Sequence, residues 1–378
     1  MKKNVSVLGS TGSIGKNTLE VIRALGLRVT ALAAGSNSRL MAEQARRFRP
    51  RLVAMFNEAA AREVRLALAD TDIRVVSGEE GVAEAAALEE TDTVVGAITG
   101  MAGLVPSLTA IRERKRLALA NKETLVCGGR IVRREIARTG AEMLPVDSEP
   151  SAIFQCLAGG GELSRLVLTA SGGPFRGKTA AELENVTVEQ ALAHPNWSMG
   201  PKVTVDSATM MNKGLEIIEA MYFFDLPEDK ISVYVHPQSI VHSMVEFVDG
   251  SVVAQMGAPD MRLPIQLALT WPERVPGPAR KLDLTACAPL TFLEPDIETF
   301  ACLRLAREVA RGTGGDAAVM NGANEAAVAA FLAGRIGFGR IYPLVAAAVE
   351  KFRGAPGESV DEVVRLGREA ERFVYSCI

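Results

Sequence analysis

A few short patterns hold nearly every side chain that could do chemistry. The first is Gly9-Ser10-Thr11-Gly12-Ser13-Ile14-Gly15, which follows the apolar run Val5–Leu8 and opens an amphipathic stretch. Glycines at such a place let the backbone approach a pyrophosphate, and the N–H groups at a helix start attract the anion. The spacing is GxxGxxG instead of GxGxxG, a variant also seen in NADP-binding sheets; a turn that is Gly-rich only for packing is the plain alternative. After the next apolar run comes Gly35-Ser36-Asn37-Ser38-Arg39, with no acidic residue before Glu43. An NAD site places an acid there for the ribose hydroxyls. Neutral side chains and Arg39 instead suit the 2′-phosphate of NADP, although Arg39 fits a solvated helix start equally well.

The second set is acidic. Asp147-Ser148-Glu149 places two carboxylates two residues apart. On an extended segment they point to the same side, and two like charges side by side call for a proton or a cation between them. A hard divalent ion with oxygen ligands is the simplest answer; a solvated acidic pair is the bland one. Ala120-Asn121-Lys122-Glu123 ends an apolar run, and ligands of open α/β sheets bind at the carboxyl ends of strands. The alternative there is a helix cap with an exposed ion pair.

The longest pattern runs from His194 through Trp197, Gly200, Ser207, Asn212 and Lys213 to Glu216. Ser207 reads as a helix N-cap. Asn212, Lys213 and Glu216 stand three and four apart and so share one helical face. A Lys beside an Asn and a nearby Ser makes a phosphate clamp, and Glu216 offers a third carboxylate to the ion at Asp147 and Glu149. A surface helix with an ion pair is the competing reading. Residues 194–200, with Trp197 among polar and Gly residues, read as a lid that closes over a ligand, or else as a loop with a core anchor. Ser171-Gly172-Gly173-Pro174 offers a hydroxyl and free N–H groups to an anion, or is a plain turn. His236 and His242 are read as strand residues in a sheet or subunit contact. Cys127 and Cys156 are read as buried free thiols.

These patterns need elements to position them. Over 1–147 apolar β-rich runs alternate with helical ones. The strands expected are 5–8, 29–34, 52–56, 73–76, 93–98, 117–120 and 142–146, with helices such as 39–48, 58–69 and 123–138 between them. That alternation predicts a parallel sheet with helices on both faces. Residues 148–270 carry longer polar loops and alternating strands, an α+β pattern with antiparallel pairing. Residues 271–296 are Pro-rich and read as an extended linker. Residues 297–378 read as a small helical bundle, with helices near 299–311, 316–333, 339–353 and 360–373. The fold class expected is therefore α/β: an N-terminal Rossmann-like sheet, an α+β catalytic domain and a C-terminal helical domain.

Composition narrows the function classes. The 378 residues carry 42 Lys and Arg against 45 Asp and Glu, a formal net charge of −3. A nucleic-acid or membrane-surface binder usually shows a basic excess, so neither partner is expected. Five cysteines without CxxC spacing suit a reducing compartment. The N-terminal stretch is too short and polar for a signal peptide, and no apolar run is long enough for a transmembrane helix. A cytoplasmic location is the expectation.

GSTGSIG, ANKE, LPVDSE, SAIFQC, TASGGPF, HPNWSMGPKVTVDSATMMNKGLE, HPQSIVHSMVEF and NGANEAAV occur in this order. Together they resemble the 1-deoxy-D-xylulose 5-phosphate reductoisomerase family over nearly the whole chain. The resemblance implies NADPH- and divalent-metal-dependent rearrangement and reduction of that phosphorylated sugar to 2-C-methyl-D-erythritol 4-phosphate, in non-mevalonate isoprenoid synthesis. The ion would be Mn²⁺, Mg²⁺ or Co²⁺. It implies metal ligands at Asp147, Glu149 and Glu216. Substrate contacts are implied at Lys122, Ser148, Glu149, Ser171, His194, Ser207, Asn212, Lys213 and Glu216, with Trp197 and Met199 in the lid. Cofactor contacts are implied at Thr11, Gly12, Ser13, Ile14, Gly35, Ser36, Asn37, Asn121, Glu123 and Gly200. Lys122, Glu149, His194 and Glu216 would be the catalytic set, in a homodimer joined through the sheet of the middle domain. Two positions depart from the family pattern. Ser36 stands where the family carries Lys or Arg, and Pro150 stands where it carries His. A rival from the residues alone is an NADP-dependent dehydrogenase of the homoserine or semialdehyde type, which has no need of three converging carboxylates. A nucleotide-binding protein without turnover is the non-enzyme alternative.

Overall fold

The computed structural model describes residues 4–378. The charged start of the chain, residues 1–3, to which the N-terminal reading partly applied, lies outside the described residues. The elements are strands β1 (Asn4–Leu8), β2 (Arg28–Ala34), β3 (Leu52–Met55), β4 (Arg74–Ser77), β5 (Thr93–Gly96), β6 (Arg116–Leu119) and β7 (Met143–Pro145), then β8 (Leu163–Ala170), β9 (Ile231–Val235), β10 (Val241–Phe247) and β11 (Val252–Met256). The helices are α1 (Ser13–Leu25), α2 (Ser38–Phe48), α3 (Glu58–Ala67), α4 (Gly78–Ala87), α5 (Leu104–Arg112), α6 (Glu123–Thr139), α7 (Ser148–Leu157), α8 (Ala180–Leu183), α9 (Val188–Leu192), α10 (Pro201–Ala208), α11 (Met211–Phe224), α12 (Arg262–Thr270), α13 (Ala301–Ala310), α14 (Gly314–Leu332), α15 (Ile341–Lys351) and α16 (Val360–Ser376).

The chain divides into two compact units. Among the described residues the first comprises 4–124, 132–151 and 260–280. Its seven strands are all parallel, in the order β4-β3-β2-β1-β5-β6-β7. All seven lie where the apolar runs predicted them. β3, β5 and β6 are buried along their whole length, as strands covered on both faces must be. The order turns back at β1, with β2 on one side and β5 on the other. A ligand crevice opens at such a reversal, outside the carboxyl ends of the strands.

The second unit comprises 125–131, 152–259 and 281–378. Its sheet runs β11-β10-β8-β9. The antiparallel expectation holds for β10 with β8 and with β11, but β8 and β9 pair in parallel. The reason lies in the connection: four helices, α8 to α11, stand between β8 and β9, and a crossover of that length permits parallel pairing where a short turn would not. The Pro-rich stretch, expected as an extended linker, carries a single-turn 3-10 helix at Leu284–Ala286 and is not loose. Val235 and Leu293 exchange backbone hydrogen bonds of 2.8 and 2.9 Å, which places part of the stretch along the outer edge of β9. The four C-terminal helices α13 to α16 form as predicted. α14 is buried almost all round, polar Asp316, Asn321 and Asn324 included. Among the described residues no helix is long and apolar enough to cross a membrane.

Candidate active site

The Gly-rich turn of the first unit is shaped by its glycines. Gly9 has φ +90°, and a Cβ there would lie 2.3 Å from the Ala97 carbonyl oxygen. A Cβ on Gly15 would lie 2.2 Å from the Gly9 oxygen. Gly9 and Ser10 both donate their amides to Ala33 O, at 2.8 and 2.9 Å, which ties the turn to β2. Gly12 caps α1 without a side-chain acceptor, and the first turn of α1 carries no acid. Gly12 and Ser13 are exposed. The Gly12 amide donates to Gly9 O at 3.0 Å, and the start of α1 beyond it lies in a field that favours an anion. At the end of β2, Gly35, Ser36 and Asn37 are exposed. Asn37 Oδ1 caps α2 by accepting the Leu40 amide at 3.1 Å. Arg39 extends into solvent, 3.8 Å from Glu43.

At the carboxyl end of β6 the ANKE segment is buried, so the exposed ion pair is excluded. Asn121 does cap α6: its Oδ1 accepts the Thr124 amide at 3.0 Å. Its Nδ2 donates to Gly100 O and to Glu123 Oε2, at 3.1 and 2.7 Å. Lys122 Nζ reaches Asp147 Oδ2 at 2.6 Å. Asp147 Oδ1 accepts the Ser148 amide at 2.9 Å, and its carbonyl accepts the Ser151 amide. The extended reading of 147–149 is corrected here: Glu149 lies in the first turn of α7. Acids are favoured in a first helical turn by the helix dipole, and Asp147 begins that turn. Pro150 sits in the same turn, where its missing N–H costs no intrahelical bond. Ser148 Oγ donates to Glu149 Oε2.

In the second unit the turn after β8 is held by two glycines, with φ +82° at Gly172 and +68° at Gly173. A Cβ on Gly173 would sit 2.5 Å from Ser207 O, so the turn rests directly on α10. Ser171 Oγ lies 2.9 Å from His194 Nε2. His194 Nδ1 accepts the amides of Asn196 and Trp197, at 3.2 and 3.0 Å. Nδ1 thus carries no proton, and Nε2–H is the donor to Ser171. Burial holds the His194 imidazole below its ordinary pKa. Asn196 Nδ2 ties the loop to the β9–β10 turn through Pro237 O and Ser239 Oγ, at 2.5 and 2.9 Å. Trp197 is half-buried, its ring 5.9 Å from that of His242. Desolvation pushes His242 down to about 4. The N-cap expected at Ser207 does not form. Pro201 at N1 after Gly200 starts α10 earlier, and Ser207 lies in its last turn. Met210, with φ +60°, breaks the chain between α10 and α11.

The shared face on α11 is real. Asn212 Nδ2 donates to Glu216 Oε1 at 2.5 Å, and Lys213 Nζ pairs with Glu216 Oε2. The surface-helix alternative fails, because Lys213 is 3% exposed and Glu216 1%. Burying both charges costs several kcal/mol per ion before pairing (on the order of that figure), so stability alone does not account for them; such clusters mark functional sites. His236 is structural: Nδ1 bonds Thr291 O, and Nε2 accepts the amides of Ile240 and Val241. Cys156 is pushed up to about 11 and Cys302 to about 12 by burial, so neither thiol is a nucleophile at neutral pH. Sequence reasoning gave no role to Asn196, Asp206 or Asn324, and read Gly173 only as part of an anion-binding or plain turn. Asn324 lies in NGANEAAV, which carried the resemblance but no role.

Comparison with known proteins shows which family the chain matches. Models of 1-deoxy-D-xylulose 5-phosphate reductoisomerase match residues 5–129, of its C-terminal domain 143–224, and of a DXP reductoisomerase C-terminal domain 256–373. The 1-deoxy-D-xylulose 5-phosphate reductoisomerase of Heliobacterium modesticaldum is 56% identical over 378 residues, covering 99% of this chain and 97% of the relative. That of Acetivibrio thermocellus is 51% identical over 380 residues, covering all of both. Among solved structures, the Zymomonas mobilis enzyme in complex with NADPH superposes with a TM-score of 0.92 at 42% identity, covering 100% of this chain and 99% of that one. A DOX-P reductoisomerase in complex with NADPH, fosmidomycin and magnesium gives 0.94 at 40% identity, covering 99% and 98%.

Proposed function

We propose a function from one premise: the chain belongs to the 1-deoxy-D-xylulose 5-phosphate reductoisomerase family. It is an NADP-dependent enzyme that rearranges and reduces 1-deoxy-D-xylulose 5-phosphate to 2-C-methyl-D-erythritol 4-phosphate, with a divalent metal, in non-mevalonate isoprenoid biosynthesis. The observation that carries the reading is the buried pair Lys213 and Glu216 with the half-buried Asn212 on the same face of α11.

The residues fit both groups. The open Gly12–Ser13 turn suits the pyrophosphate of NADPH. We assign Thr11, Gly12, Ser13, Ile14, Gly35, Ser36, Asn37, Asn121, Glu123 and Gly200 to the cofactor, which supplies the hydride. Ser36 brings no cation to the 2′-phosphate, and the exposed Arg39 is the nearby residue able to. We assign Asp147, Glu149 and Glu216, all carboxylates of the kind hard cations take, to one divalent ion. Bound there, Mg²⁺ or Mn²⁺ supplies positive charge beside the oxygens of the substrate. Lys122 and Ser148 position Asp147 and Glu149 and contact the substrate. Ser171, Ser207, Asn212 and Lys213 hold the phosphate, whose charge of about −1.5 to −2 the buried ammonium of Lys213 opposes. His194 turns its Nε2–H from Ser171 toward the substrate, and Trp197 closes the loop over it and excludes water.

The four-part division of the sequence follows these roles. On this reading residues 1–147 bind NADPH and contribute Lys122 and Asp147 to the chemistry, 148–270 carry the rest of catalysis, metal binding and dimerisation together with the cofactor contact Gly200, 271–296 link, and 297–378 support. The exposed edge at β11 supports a homodimer, and the free cysteines support a cytoplasmic setting. The test follows NADPH absorbance with 1-deoxy-D-xylulose 5-phosphate and Mg²⁺ or Mn²⁺, then with excess EDTA. Metal-dependent oxidation is expected. Oxidation indifferent to chelator would remove the ion from the reading and favour a dehydrogenase. Binding of NADPH without turnover would leave only a binding protein.

A further inference from the structure

α10 carries Ser207 and is held from two sides within the second unit. On one side lies the Gly173 turn, already in backbone contact with Ser207. On the other lies α14, where Asn324 Nδ2 donates to Asp206 Oδ1 at 2.8 Å across 118 residues of sequence. Asp206 Oδ2 pairs with Lys202, one turn back on the same helix, at 2.9 Å. The Asp206 carbonyl accepts the Thr209 hydroxyl at 3.2 Å, in the bend that leads into α11. Asp206 is 1% exposed and Asn324 not at all.

A buried carboxylate is tolerated only with partners of this kind, but an apolar pair would have joined the two helices as firmly. What the polar pair adds is direction, because a hydrogen bond fixes an angle as well as a distance. Successive residues of a helix are turned by about 100° about its axis. Holding Asp206 against α14 therefore fixes where Ser207 points, and fixes the start of the bend before Asn212 and Lys213. We propose that Asn324 is a positioning residue for the phosphate clamp: from the C-terminal helical domain it sets, through Asp206, the orientation of Ser207 and so the affinity for the phosphate end of the substrate. Asn321, one turn earlier on α14, has no part in this, since its Nδ2 donates to Glu325.

The inference rests on Ser207 belonging to the clamp, and the experiment separates the two. Steady-state kinetics are measured on the full chain, at saturating metal, for Asn324→Ala, Ser207→Ala and the exchange Asp206→Asn with Asn324→Asp. Losing one buried hydrogen bond predicts about a tenfold rise in KM for the phosphorylated sugar in Asn324→Ala, with kcat and the KM for NADPH within about twofold of the parent. A partly unfolded preparation would instead lower kcat and leave KM alone. The exchange restores a donor and an acceptor in reversed order, and its KM falls back toward the parent value. If Ser207→Ala raises KM while Asn324→Ala does not, the positioning role is wrong. If Ser207→Ala itself leaves KM unchanged, the clamp assignment is wrong and this inference goes with it. An exchange variant no better than Asn324→Ala would also overturn it, since a donor and an acceptor restored at unchanged bulk would then leave KM where alanine put it. Should the alanine variant fail to fold, Asn324→Ser, which keeps a polar group but cannot span to Asp206, carries the same prediction.

Discussion

Lys213 and Glu216 are neighbours on one helix, yet they are assigned opposite ends of the substrate, and substitution should separate them. Glu216→Gln keeps size and hydrogen bonding but removes a metal-binding charge. Loss of a group outside the ligand shell already costs about 10–100-fold in metal affinity or activity, so at least that loss is expected when activity is titrated with Mg²⁺. Lys213→Ala removes the cation proposed to face the phosphate, and should raise KM by roughly 10–100-fold with a smaller change in kcat. An unchanged KM would dismiss the clamp. His242 gives a prediction of a different kind. Its pKa falls from 6.5 to about 4, chiefly because it is buried against the sheet. A base that folds in its neutral form stabilises the protein fully above its unfolded pKa. That contribution is lost as pH falls from about 6.5 toward 4, to a total of about 3 kcal/mol. Thermal melts of the parent should show that loss across the window, and His242→Gln should flatten it. Equal slopes in the two proteins would mean that other groups carry the acid sensitivity.

Elements decide which of these residues could be found in advance. The strands of the first sheet were legible because they are apolar runs closed by turn residues; burial leaves no other place for the runs of β3, β5 and β6, while the edge strand β4 is partly exposed. The glycines of the 9–15 turn and the acids of 147–149 were legible as types. The turn that seats Glu149 in α7 was not, because a first helical turn and an extended segment differ there only in backbone angles. Ser207 looked like a cap because Ser starts helices, but Pro201 starts this one sooner. The contact of Asn324 with Asp206 joins positions 118 apart in sequence, and no local pattern encodes it. Gly173 is the same kind of case: a glycine before a proline reads as any turn, while the structure places it against Ser207 O with φ +68°. Gly173→Ala combines that φ with a Cβ held at 2.5 Å from a carbonyl oxygen. The turn must then move off α10. A rise in substrate KM is expected together with a stability loss of about 1–3 kcal/mol, read from kinetics and urea unfolding. A variant with unchanged KM would show that the turn does not set the clamp.

At the scale of the molecule the second sheet has two edges, and the chain treats them differently. The β9 edge is closed by Leu293 of the 281–296 stretch through two backbone hydrogen bonds. The β11 edge has no such strap among the described residues, and Val252 and Val253 are 52% and 43% exposed along it. An apolar, unpaired strand edge invites pairing with other chains, and soluble proteins usually blunt it with charge, proline or a covering element. None of those residue types lies in Val252–Met256. A second copy of the chain is the covering element proposed here. On this argument Val253→Lys, which puts a charge at the centre of the edge, should raise the dimer dissociation constant by at least about 30-fold, as for a central interface residue worth about 2 kcal/mol. Sedimentation velocity across a micromolar dilution series reads this directly. A parent chain that sediments as a monomer throughout would end the homodimer reading. The clamp residues Ser171, Ser207, Asn212 and Lys213, together with His194 and Glu216, all come from one chain. The Val253→Lys monomer should therefore keep the KM of the parent at concentrations where it is fully dissociated. A KM that rises on dissociation would mean that the partner copy holds the 171–216 segment in its binding geometry.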